Sequence, residues 1–185
     1  MDPISQLELA CIHEAAHAVL VVNCRWHFLC ATVSVNPDGH GAAPFRMDNA
    51  AAKTEMLASG NADRVFLKAA IIAAAGVCAE NRLRRERGEC RLPVDQAFLA
   101  SPADVEQANF ALGNMVHPTP LSFMVQRAQS VIDSNEDMWE IIRQFADLLR
   151  ESRTLTSHDA TDAILRIEQE VFQSRARRSA IPIGP

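Results

Sequence analysis

The chain has 185 residues, 48% of them hydrophobic and 22% charged, and its formal net charge is −5. This is the balance of one compact globular domain able to bury a core, and the negative sign leaves no basic footprint for nucleic acid. The longest apolar run, 69–79, is too short to span a bilayer and no signal peptide opens the chain, so the expectation is a cytoplasmic protein without a membrane span.

The first element expected is a helix from Ser5 to Cys24, apolar on both sides of the run His13-Glu14-Ala15-Ala16-His17. Two histidines four residues apart lie one above the other on a helix face, so both imidazoles can reach one Zn²⁺ at about 2.0–2.1 Å. Glu14 stands beside them without being a ligand, placed to take a proton from a water that the metal has made acidic. The plain alternative is a core helix with two hydrogen-bonded histidines, although burying His, Glu and His together is costly unless something binds them. Basic residues gather only at 82–91 and 175–178, which read as solvated segments. The cysteines, Cys11, Cys24, Cys30, Cys78 and Cys90, form no CxxC pair and read as free thiols, with Cys11 in the core.

Next in the chain, Phe28 to Val35 has β-branched, alternating character, and Asn36-Pro37-Asp38-Gly39 supplies a turn, which predicts a short strand and an edge hairpin. Beside an HExxH helix, such an edge can hold an extended peptide by backbone pairing. A second, strongly apolar helix is expected from Ala62 to Arg84, with Val65, Phe66, Ala69, Ile72, Ala73, Gly76 and Ala79 on its inner side and close approach to the first helix permitted by Gly76. Glu80 ends that apolar run, either buried with a partner or at a solvated helix end.

Residues 84–99 read as a polar loop, after which Ser101-Pro102-Ala103-Asp104 opens a third helix with a capping serine, proline at the first position and an acid in the first turn. Asp104 has a capping role on this reading. Leu121 to Arg150 predicts a long helix or a pair broken near Ser134-Asn135, Ser157 caps a last helix ending near Phe172, and 174–185 is an expected disordered tail. The fold class expected is mostly α with a minor β component, and no internal repeat is present.

The ordered set resembles a family. An HEAxH helix (His13 to His17), a strand with a Pro-x-Gly turn (Val33 to Gly39), an apolar helix closing on Gly-x-x-Ala-Glu (Gly76 to Glu80) and an Asp-x-Glu-Gln-Ala helix (Asp104 to Ala108) reaching Met115-Val116 look like the peptidase domain of FtsH-type ATP-dependent zinc proteases. The helical tail, Ala128 to Leu149, Arg153-Thr154-Leu155-Thr156 and Ala163-Ile164-Leu165, is similar as well. The resemblance implies one peptidase-like domain over 1–173, with the metal site in 5–116 and helical tail in 119–173. It implies that His13, His17 and Asp104 are zinc ligands and that Glu14 is the general base. It also implies a polypeptide substrate and a hexameric ring, beside which a monomer or dimer stays open.

Departures are informative too. Ala16 stands where the family has glycine, Val77 where it has arginine, and this chain carries neither a membrane anchor nor a Walker GxxxxGK[ST] run. Only twelve residues precede His13, so part of the substrate platform is expected to be missing. ATP-driven unfolding is therefore not expected within this chain, and a separate partner would deliver flexible or already unfolded chains to it. The function expected is zinc-dependent endopeptidase cleavage of unfolded or flexible polypeptides, and the alternative is a non-catalytic zinc-binding or regulatory module that keeps the fold. His40 and His117 are candidates by type for stabilising an oxyanion, each also readable as a surface histidine, and neither is assigned.

Overall fold

A computed structural model describes residues 3–59, 62–89 and 93–179. Among them the chain is mostly helical with little strand, as the composition and periodicity predict: α1 (Gln6–Asn23), α2 (Asn49–Ser59), α3 (Ala62–Glu86), α4 (Val94–Leu99), α5 (Pro102–Gly113), α6 (Leu121–Ser134), α7 (Glu136–Ser152) and α8 (Ser157–Ser179). The strands are short: β1 (Phe28–Cys30), β2 (Val33–Val35), β3 (Gly41–Ala42), β4 (Phe45–Met47) and β5 (Thr154–Leu155). None of the described helices is long and apolar enough to cross a membrane.

The α1 helix begins where the sequence dictates, with the Ser5 hydroxyl accepting from the Glu8 N–H at 3.1 Å. It is buried nearly all round from Leu9 to Val22, because α3 and α7 cover it on two sides and the small strands on a third. The α3 helix is equally central, packing on α1, α5 and α6, and its run Ala69–Ala79 is buried apart from the half-exposed Ile71. Alanine-rich sequence lets these two helix backbones approach closely. At Gly76 there is no room for a side chain: a Cβ there would lie 2.5 Å from the His13 ring.

Two antiparallel arrangements cover one side of α1. In one, β1 pairs with β4 (Leu29 opposite Arg46); in the other the order is β3-β2-β5, with Ser34 opposite both Ala42 and Thr154. The single strand expected over Phe28 to Val35 is instead two, β1 and β2, in different sheets; the hairpin is the β2–β3 pair, its turn using Gly39 at φ 82°, a left-handed conformation that favours glycine. The partner of β2 on the other side, β5, lies about 120 residues further on and carries no strand signal of its own.

Four further local expectations are corrected. The polar stretch read as loop contains α4, whose Phe98 is fully buried and anchors it against its neighbours. The segment 49–59, for which no element was expected, is the helix α2. The cap of α8 is Thr156, whose hydroxyl accepts from the Asp159 N–H, while Ser157 donates to the Cys30 carbonyl at 2.5 Å and ties α8 to β1. Residues 174–179, expected in the tail, continue α8; 180–185 lie outside the described residues. Cys11, Cys24, Cys30 and Cys78 are free thiols, and Cys90 lies outside the described residues.

Candidate metal centre

Two helices bring the expected ligands together. α1 presents His13 and His17 on one face, their rings 4.8 Å apart, and the first turn of α5 presents Asp104 opposite them. His13 Nε2 lies 3.1 Å from Asp104 Oδ2 and His17 Nε2 lies 3.4 Å from Asp104 Oδ1. One donor atom from each residue can be chosen so that all lie within 4.8 Å of one another, and the group can hold a metal ion.

The far nitrogens of both rings are fixed. His13 Nδ1 donates to Glu80 Oε1 at 2.7 Å and His17 Nδ1 donates to the Ile72 carbonyl at 2.8 Å, both acceptors lying on α3. With Nδ1 of each ring committed to a hydrogen bond, Nε2 is the nitrogen each imidazole would turn to a metal once the cation displaces any proton there. Asp104 is held in turn by the Ser101 hydroxyl, which donates to Oδ2 at 2.7 Å. Ser101 makes no side-chain bond to the helix backbone, so the expected cap is replaced by a bond that orients the carboxylate.

The donor set fits a cation on two further grounds. His17 Nε2 is buried without a hydrogen bond and is turned toward Asp104 and His13, where a cation shared by the three would sit. Burial favours the neutral form of His13, yet Asp104 and Glu80 on either side outweigh it and push its pKa up to about 10. Burial likewise favours neutral Asp104, but the two imidazoles hold it well below the usual carboxylate range. The site therefore favours positive charge between its carboxylates, which is what a bound dication supplies.

Glu14 faces the same cleft but is not part of the donor group. It is 7% exposed, and burial is the main cause that raises its pKa, opposed by the nearby imidazoles and by a hydrogen bond from the Ala43 backbone. Its side chain leans on β3 so closely that a Cβ on Gly41 would lie 2.5 Å from Glu14 Cγ. The cleft, about 270 Å³, has His13, Glu14 and His17 at its base, residues 41–44 as one wall and Ser101, Ala103 and Gln107 as the other.

His40 and His117 are not among the residues lining this cleft. Both are exposed; the His40 N–H donates to Asn36 in the β2–β3 turn, and the His117 N–H donates to Asp63. The supporting acceptors Glu80 and Ile72 carry the weaker sequence signal. Gly76 and Glu80, four apart on α3 and so on one face, both meet His13, and that spacing is the trace they leave. Scans against protein-family models and curated proteins found no match for the chain.

Proposed function

We propose that the chain is a zinc metallopeptidase that hydrolyses peptide bonds in unfolded or flexible polypeptides. The observation that carries this reading is Glu14: a buried carboxylate turned into the cleft beside three metal donors, yet outside the donor set. A purely structural zinc site has no use for a base and fills its fourth position with protein. The order of the sequence pieces, similar to that of FtsH-type peptidase domains, supports the same reading.

His13, His17 and Asp104 would hold the metal, two imidazoles and one carboxylate being a donor set that suits zinc and leaves a position open. Once bound, zinc supplies Lewis acidity, which polarises a carbonyl and makes a water acidic. Glu14 accepts the proton of the attacking water as the new C–O bond forms. It returns that proton to the departing nitrogen as the C–N bond breaks. Glu80 and the Ile72 carbonyl keep both imidazoles oriented, and Ser101 does so for Asp104. The unpaired side of β3 supplies a backbone edge along which an extended chain can lie.

Zinc-loaded protein incubated with a casein-like unfolded substrate is expected to release fragments detectable by mass spectrometry. Glu14→Gln is expected to keep its zinc and to lose roughly 10²–10⁴-fold in rate. Cleavage persisting at full rate in that variant would remove Glu14 from the mechanism, and no cleavage by either protein would favour a non-catalytic metal-binding module.

A further inference from the structure

The cleft holds one polar side chain that the metal site does not use. His13 is paired with Glu80 and faces Asp104, His17 donates to Ile72, Ser101 donates to Asp104, and Glu14 accepts from Ala43. Gln107 lines the same cleft, half-buried, and among the described residues its carboxamide has no hydrogen-bond partner. Its amide atoms are open to water in the cleft, not buried without a partner, so a substrate carbonyl can take the place of that water.

Its place narrows what that partner is. Gln107 follows Asp104 by three residues on α5, so it stands one turn along on the same face, about 5–6 Å away at Cβ. Glu14 leans on the opposite wall against Gly41. The base and the amide thus flank the donor group from two sides. The remaining residues of both walls, Gly41 to Pro44 and Ala103, carry no polar side chain.

We infer that Gln107 donates, through its carboxamide N–H, to the carbonyl oxygen of the peptide being cleaved, and does so most strongly as that oxygen gains negative charge. The inference rests on the peptidase reading above and assigns a new residue to that reaction. A neutral amide suits the task because it stabilises developing charge without attracting cations or repelling the substrate. The substitution Gln107→Ala leaves the oxygen without this donor, and Gln107→Glu places an acceptor and a like charge beside it.

The test separates binding from chemistry. Wild type, Gln107→Ala and Gln107→Glu are loaded with zinc, and zinc content, kcat and KM on the casein-like substrate, and calorimetric affinity for a phosphinic peptide are measured. The phosphinic group is tetrahedral and anionic, so it reports the charge that Gln107 would meet. Equal zinc content is expected in all three, with kcat lowered about 10²-fold in Gln107→Ala, at least as much in Gln107→Glu, and KM changed little. Phosphinic-peptide affinity is expected to fall by a similar factor. Unchanged kcat, a raised KM at constant kcat, unchanged phosphinic-peptide affinity, or zinc loss in step with activity would each overturn the inference while leaving the peptidase reading intact. A wild type that neither cleaves nor binds the phosphinic peptide would overturn both.

Discussion

Two polar clusters share α3, one at the metal centre, supported by Ile72 and Glu80, and one two residues further along at Arg82, and they are built differently. Each nitrogen of the Arg82 guanidinium faces an acceptor: Nη1 the Ile132 carbonyl at 2.5 Å, Nη2 Glu136 at 2.7 Å and Nε Glu86 at 3.5 Å, while its carbon lies 4.8 Å from the Trp139 ring centre. That side chain ties the end of α6 to the start of α7 and needs nothing more. At the metal centre the outward atoms are paired, but the inward ones converge on each other and leave His17 Nε2 without a hydrogen bond. Incompleteness alone does not mark a site, since Trp139 Nε1 beside Arg82 is also buried without a partner; what marks the metal centre is that donor atoms of three residues converge on one point.

Either cluster can be broken while the other is left standing. The largest effect is expected from Asp104→Ala: spreading roughly 10–16 kcal/mol of zinc binding over four ligands gives about 2.5–4 kcal/mol for one, or ~10²–10³-fold in metal affinity. Competition with a chromophoric chelator measures it, and full occupancy at low free zinc would remove Asp104 from the ligand set. Arg82→Ala is expected to cost about 3 kcal/mol of folding stability in denaturant unfolding while leaving zinc affinity unchanged; a matching fall in affinity would show the two clusters to be one unit. Glu80→Gln replaces the charged acceptor at His13 with a neutral one and is expected to weaken zinc by about 10–100-fold without altering the zinc-to-protein ratio at saturation. Ser101→Ala is expected to have the smallest effect, at or below about tenfold, and a loss equal to that of Asp104→Ala would mean the hydroxyl does more than orient the carboxylate.

Much of this centre is legible in the chain because its chemistry is local. His13, Glu14 and His17 sit within one and a half turns of a helix whose cap and apolar flanks are also in sequence, and Pro102 marks the helix that presents Asp104. The break between α6 and α7 is local as well, since Asn135 ends one helix and its side chain accepts from the Met138 N–H to start the next. What escapes is long-range. Glu80 reaches His13 across 67 residues, and Thr154 pairs with Ser34 across the length of the helical bundle, so neither contact has a periodic signature. The α4 helix escapes for a different reason: six residues after a proline are held as a helix by burial of Phe98, a tertiary effect overriding a polar local sequence.

The strand order β3-β2-β5 has a mechanical meaning. One wall of the cleft is the outer member of a three-strand stack, and the other outer member, β5, lies in the four-residue link between α7 and α8, further pinned by the Ser157–Cys30 hydrogen bond. Through β5 and β2 the start of α8 is joined to the rim beside Glu14, while the body of that helix rests on α7 and α1. The rim of the cleft is thus stitched to both ends of the chain's helical core and does not hang free.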